Sequence, residues 1–311
     1  MLKQNWLPLL WIASACALVA ADQKETEKRA ESPVMAYRYN ADTGELRALL
    51  GVPGAARWSD PLAGVLPEGV TAARIAPGHT WALVAKGADE TGIVMLETGA
   101  YKALAHPIAD LDRVVFSPSA KSMAAMSDTG AVVFTGLPDE PVEARQESAG
   151  DGVYALSDSG VSAAVREGRV MRGGSADAGA CVDCVFAFGA GAGDTLVIFS
   201  KATGELSEFG ATESHKLASG VATAERIAVT GAGVLLLSRE SLRLYNRQSG
   251  ELVREEALYA SPWVSQRVEL MRQRGDVLFA FERGGASWML SSSGEMKVIP
   301  ATAAAAAKVE E

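Results

Sequence analysis

The chain has 311 residues, of which 48% are hydrophobic and 22% charged, with a net charge of −9. That is enough apolar material for a sizeable core and an ordinary charge density for a globular protein. The acidic balance argues against a general nucleic-acid binder and against adhesion to anionic membrane, since both need a basic face.

The N-terminus reads as an export signal. Lys3 is its basic start, residues 6–21 are almost wholly apolar, and Val19-Ala20-Ala21 offers small residues for cleavage before the polar run at 22–33. The apolar run is about four residues short of a bilayer span, so a signal peptide over 1–21 is expected, with no span left after its removal. The alternative is a lipoprotein acylated at Cys16, although Ala13 stands where a lipobox has a large aliphatic residue. The expected location is periplasmic or extracellular.

The next phrase, "YRYNADTGELRAL" (37–49), runs from an apolar stretch through a Thr-Gly turn into a more polar stretch. Gly tolerates positive φ, so the phrase predicts a β-hairpin. Residues 52–70 are irregular and connect this hairpin to the strands beyond residue 70, with Trp58 and Leu66 packing the connection down. "VTAARIAPGHTWALVAKGADETGIVML" (70–96) and "LDRVVFSPSAKSMAAMSDTGAVVF" (111–134) each read strand, Pro-containing turn, strand, Gly-bounded turn, strand. "AVREGRVMR" (164–172) alternates three Arg, the pattern of a solvated strand face. "CVDC" holds Cys181 and Cys184. In an exported chain this pair reads as a local disulfide; free thiols are the alternative, and nothing nearby starts a helix that would favour a redox site. "GAGAGD" (189–194) lies between apolar runs and reads as a hairpin turn, not a phosphate loop. The continuous runs "TLVIF", "GVLLL" and "DVLFAF" suit strands buried on both faces. Residues 301–311 are a low-complexity, Ala-rich tail.

The opening phrase recurs as "VIFSKATGELSEF" (197–209) and "LYNRQSGELVREE" (244–256), with weaker copies elsewhere. The turn glycines are Gly44, Gly99, Gly136, Gly173, Gly204, Gly250 and Gly294. Their mean spacing is about 42 residues, the length of a four-stranded propeller blade. The prediction is an all-β protein, a β-propeller over 34–300 with seven blades of four antiparallel strands; β-sandwich domains are the alternative. Only six strand pairs precede the seven hairpins. The first hairpin must therefore share a ring with the last blade, and 52–70 is a candidate source of the missing inner strands.

On these residues the chain resembles the WD40/YVTN-like β-propeller superfamily. "FSPSAKSMAAMSDTGAVVF" is similar to that family's Ser-Pro-Asp-Gly-Lys turn and following strand, with Ala120 where the family has Gly; "LYNRQSGEL" and "FSKATGEL" are similar to its Asp-x-x-Thr-Gly-Glu turn. The Gly-His and Trp-Asp signatures of strict WD40 blades are absent. The resemblance implies architecture more than activity, because the superfamily includes scaffolds, binding modules and enzymes.

No catalytic, cofactor-binding or metal-binding residues are assigned. His79, His106 and His215 sit by turns or in a loop, and surface positions are expected for all three. Asn, a usual calcium ligand of propeller lactonases, occurs only at Asn5, Asn40 and Asn246. The vicinal cysteine pair usual in quinone-dependent dehydrogenases is missing. The expectation is a non-enzymatic binding or scaffold module for a protein or cell-envelope component, with no cofactor. The alternative is a propeller enzyme of the lactonase or quinoprotein type.

Overall fold

The computed structural model describes residues 33–51, 57–148, 153–174, 176–181, 183–191, 193–210, 213–230, 233–238, 240–257, 268–273, 276–281, 287–290 and 296–299. The expected signal peptide, the turn of Gly294 and the tail at 301–311 lie outside the described residues, as do the side chains of "DVLFAF".

Apart from one short 3-10 turn at Leu111–Arg113, every described element is a strand. β1 (Val34–Asn40), β2 (Glu45–Leu50) and β3 (Arg57–Trp58) form a three-stranded N-terminal sheet. Six four-stranded antiparallel blades come after it. Blade 1 is β4 (Ala72–Ile75), β5 (Trp81–Ala85), β6 (Thr91–Met95) and β7 (Tyr101–Ala103). Blade 2 is β8 (Val114–Phe116), β9 (Ser122–Met126), β10 (Ala131–Thr135) and β11 (Val142–Glu147). Blade 3 is β12 (Tyr154–Leu156), β13 (Ser162–Arg166), β14 (Arg169–Arg172) and β15 (Ala176–Ala180). Blade 4 is β16 (Cys184–Phe188), β17 (Leu196–Ser200), β18 (Glu205–Phe209) and β19 (Ser214–Ala218). Blade 5 is β20 (Arg226–Thr230), β21 (Gly233–Leu237), β22 (Ser241–Tyr245) and β23 (Leu252–Ala257). Blade 6 is β24 (Val268–Gln273), β25 (Asp276–Phe281), β26 (Ser287–Leu290) and β27 (Met296–Ile299).

The fold is an all-β propeller. The expectation of seven four-stranded blades is corrected: six blades are four-stranded. The first repeat makes three strands among the described residues, and the charged run of 22–32 lies outside them. The described part of 52–70 furnishes no inner strand either. Arg57–Trp58 pairs with the far side of β2, as an outer strand. The stretch after it packs Leu62, Val65 and Leu66 onto Leu46 and blade 1. β1 is the inner strand of its sheet and lies against both β4 and β24.

Apolar layers between neighbouring sheets carry the core. Trp81, Leu83 and Ile93 of blade 1 pack on Met123 and Phe134 of blade 2, while Val84 and Val94 on the opposite face pack on Leu46 of the N-terminal sheet. In β17, Leu196 and Ile198 face blade 3, whereas Val197 and Phe199 face blade 5. A strand alternates its side chains between its two faces. Both faces are covered here, so the residues of "LVIF" are all buried.

The recurring Gly turn is real but does not mark one place in the blade. In each copy the glycine N–H reaches the carbonyl four residues back: Gly44 to Asn40 at 2.8 Å, Gly204 to Ser200 at 2.9 Å and Gly250 to Asn246 at 2.9 Å. Yet Gly44 joins the first and second strands of its sheet, Gly204 the second and third, and Gly250 the third and fourth. The motif is a local hairpin device, usable wherever two antiparallel strands meet. Inner strands give the true period: from Ala72 to Val268 they start 42, 40, 30, 42 and 42 residues apart. The short unit is blade 3. It passes to blade 4 through residues 181–183 alone, where the Cα atoms of Cys181 and Cys184 stand 5.5 Å apart.

Gly250 is constrained twice. Its φ is +70°, and a Cβ there would stand 1.7 Å from the Leu217 carbonyl oxygen. Gly174 has φ +84° but nothing within 4 Å of such a Cβ. Gly174→Ala is therefore expected to cost only the backbone strain of about 1–2 kcal/mol, and Gly250→Ala about 3 kcal/mol or more. Urea unfolding of the two variants checks the ranking.

Candidate ligand site at the mouth of the central channel

The inner strands converge on a cavity of about 150 Å³ lined by Pro77, Phe116, Pro118, Leu156, Phe188 and Ile227, with Ser117 and alanines between them. Its walls come from the turn after β4, the last residues of β8, β12 and β16, and β20, so five blades contribute. The turns after the inner strands share one geometry in blades 1 to 3. His79 N–H donates to Ala76 O at 3.0 Å, Ala120 N–H to Ser117 O at 2.9 Å, and Gly160 N–H to Ser157 O at 3.0 Å. The donor residues have φ of +56°, +55° and +85°. Ala120, where the family turn has Gly, thus adopts the glycine conformation, and its methyl is buried against blade 1.

Asp158 ties these turns together. Its Oδ1 accepts the Ser119 N–H at 2.7 Å and its Oδ2 the Gly191 N–H at 3.1 Å, so one carboxylate bridges the turns of blades 2, 3 and 4. Its backbone carbonyl accepts from Ser122 Oγ at 3.3 Å, and the neighbouring Ser159 hydroxyl donates to Asp194 at 2.6 Å. Burial raises the Asp158 pKa, but the Gly191 and Ser119 N–H groups, helped by the Ser119 and Ser117 side chains, outweigh it and hold the carboxyl below its ordinary range. The carboxylate is spent on structure: it fixes the rim.

Further out, polar and charged side chains clip neighbouring blades together from blade 1 to blade 5. Arg74 donates to Leu111 O at 3.0 Å and Asp112 O at 2.7 Å, and lies 5.9 Å from the Phe116 ring centre. Arg247 of blade 5 grips Glu208 of blade 4 through two bonds of 2.9 Å. Arg172, expected on a solvated face, reaches across to Gly210 O at 2.6 Å, and Arg166 bonds Ser148 O at 3.2 Å. Glu147 accepts from Tyr154 and from Ser162, joining blade 2 to blade 3. Burial and then Glu147 itself push the Tyr154 hydroxyl pKa up.

The three histidines do not converge. His79 lies in its expected turn but is only 3% exposed, against the expectation of a surface position. Its φ is positive at a position where glycine would suffice, and its ring reaches the N-terminal sheet. His106 is exposed and 3.8 Å from Glu143. His215 is exposed but belongs to strand β19, not a loop. Asn40 and Asn246 cap their hairpin turns, accepting N–H groups of Asp42 and of Gln248 and Ser249. Among the described residues no three His, Cys, Asp or Glu side chains group as metal ligands. No helix among them is long and apolar enough to cross a membrane. Sequence reasoning missed Asp158. The available signal was the alignment of "SPSA" (117–120) with "SDSG" (157–160), two turns of one type at the same blade position.

No protein-family model matches the chain, and no curated protein matches it. Among solved structures it is similar to PorZ of Porphyromonas gingivalis, an essential bacterial surface component of the type-IX secretion system. The TM-score is 0.51 and the identity 14%, over 88% of this chain and 38% of PorZ. The chain thus spans well under half of PorZ. It is also similar to Hsv2 of Kluyveromyces marxianus, with TM-score 0.51 and 10% identity over 83% of this chain and 92% of Hsv2. At such identities the likeness is one of fold alone.

Asp158→Asn would set a donor NH₂ against one of the two N–H groups that the carboxylate now accepts. A loss of about 1–3 kcal/mol is expected at neutral pH. A depressed folded pKa gives stability that is complete above the unfolded value, 3.8, and is lost as pH falls through the folded one. The gap between wild type and variant should therefore shrink below about pH 4. Urea titrations at pH 7 and pH 3 measure both.

Proposed function

We propose that this protein is an exported propeller that acts as a non-enzymatic binding or scaffold module, with a protein or other cell-envelope component as its partner. The observation that carries this reading is the channel mouth: an apolar cavity of about 150 Å³ whose nearby carboxylate, Asp158, is consumed in holding the rim. Pockets that hold whole small-molecule ligands run to roughly 300–1,000 Å³. A cavity of this size and lining suits one apolar side chain of a partner laid across the mouth. The lactonase alternative needs several oxygen ligands free to converge on a hard cation, and at this mouth the carboxylate oxygens of Asp158 are occupied by N–H groups. Export rests on Lys3, the apolar run at 6–21 and the small residues 19–21.

Pro77 and Pro118 are partly exposed and line the cavity without belonging to the blade cores. Replacing both with Glu is expected to leave the melting transition within a few degrees of wild type. Recovery of the partner that wild type captures from its native envelope fraction should fall tenfold or more. Undiminished capture would move the partner site away from the mouth. The same purified material tests export. Its intact mass should correspond to a chain beginning at Asp22, and alkylation without reductant should label neither Cys181 nor Cys184. A lipid adduct on Cys16 or an intact Met1 start would overturn the signal-peptide reading.

A further inference from the structure

We propose that His79 is an acid-sensitive latch: it fastens the N-terminal sheet to blade 1 while its imidazole is neutral and releases that sheet when the imidazole takes a proton. The geometry is specific. His79 Nδ1 accepts the backbone N–H of Tyr37 on β1 at 2.9 Å, across 42 residues of sequence. A backbone N–H can only donate, so the bond needs the lone pair on Nδ1 and leaves the ring proton on Nε2. Nε2 is buried and has no hydrogen-bond partner among the described residues. The residue also sits at φ +56°, in the turn position that Ala120 and Gly160 fill in the next two blades. A buried ring, an orphan N–H and a left-handed backbone each carry a cost. Among the described residues the one hydrogen bond that the ring makes in return is the one to β1.

β1 is the element whose release matters. It is the inner strand at the seam where the two ends of the propeller meet, lying against β4 on one side and β24 on the other. A second proton on His79 would point an N–H at the Tyr37 N–H and place a cation in a site that has no counterion among the described residues. The titratable groups around the latch do not offset that charge. From β1 comes the Tyr37 phenol, whose pKa is raised by its own burial and then by Glu97 of the β6–β7 turn. The other residues of the His79 turn, Ala76 to Thr80, carry no charge. Burial is the first cause that lowers the His79 pKa, to about 4 from 6.5. A base whose folded pKa is depressed favours the folded contact fully above pH 6.5. That contribution is lost as pH falls from 6.5 to about 4, because the released imidazole binds the proton and the latched one does not. The opening equilibrium should therefore rise about 100-fold between pH 7 and pH 4.

Hydrogen exchange of the purified full chain, followed on peptides covering 34–40 at pH 7 and pH 4, tests the latch. Each protection factor is referred to the blade 4 peptide covering 196–200. In wild type the relative protection of β1 is expected to fall about 100-fold. In His79→Asn it should stay flat, since Asn tolerates positive φ, offers Oδ1 to the Tyr37 N–H and does not titrate. Unchanged β1 protection in wild type, or an equal fall in the variant, would overturn the proposal. Should the variant fail to fold, the wild-type ring decides the matter by NMR. A His79 titration near pH 4 that tracks β1 exposure supports the latch, and an imidazole titrating near 6.5 with β1 still protected refutes it.

Discussion

Everything in this molecule depends on the apolar contact between the face of one blade and the face of the next. A single four-stranded sheet this short cannot bury itself. Each blade becomes stable only because both of its faces are covered, and the ring is the arrangement in which every sheet has two neighbours. The second strands show it most plainly. Val84, Leu83, Leu196, Val197 and Phe199 are wholly removed from solvent although they lie on opposite faces of their sheets. Polar side chains then work at the margins of these layers. Arg74, Arg145, Arg172 and Arg247 each reach a carbonyl or carboxylate of the adjacent blade. They set the register between blades that apolar packing alone leaves loose.

The inner ends of the same blades form the channel mouth, so its shape follows from how the blades pack. Phe116, Leu156, Phe188 and Ile227 come from four different blades, and no pair of neighbouring strands could assemble that lining. Asp158 fastens the turns above it by accepting N–H groups from the turns on both sides. A rim fixed in this way is a preorganised surface, which lowers the cost of ordering on association. At the seam the fastening differs: an imidazole does for β1 what a carboxylate does for blades 2 to 4.

Local signals in the chain reported the strands well, because alternation and unbroken apolar runs follow directly from burial on one or two faces. They reported phase badly. The same Thr/Ser-Gly-Glu-Leu phrase serves three different turns of the blade, since its glycine answers only to the hairpin that it closes. Counting such turns therefore gave seven equal units where six are four-stranded. The histidines show the same limit. His79 stands in a Pro-Gly turn, and turns are usually at the surface. This one is buried because the neighbouring sheet closes over it.

The order of residues was enough to establish that the chain is all-β, that its strands come in hairpins about 42 residues apart, and that two cysteines three residues apart can pair locally. Those properties rest on φ preferences, side-chain alternation and short loops, which are local. Packing in three dimensions settled the rest: which face of each strand meets which blade, that Trp58 forms an outer strand, that Asp158 spans three turns, and that Tyr37 and His79 meet across 42 residues. The reason is that these are contacts between units far apart in the chain. Their partners are chosen by the closure of the ring, and no window of residues contains both sides of the contact.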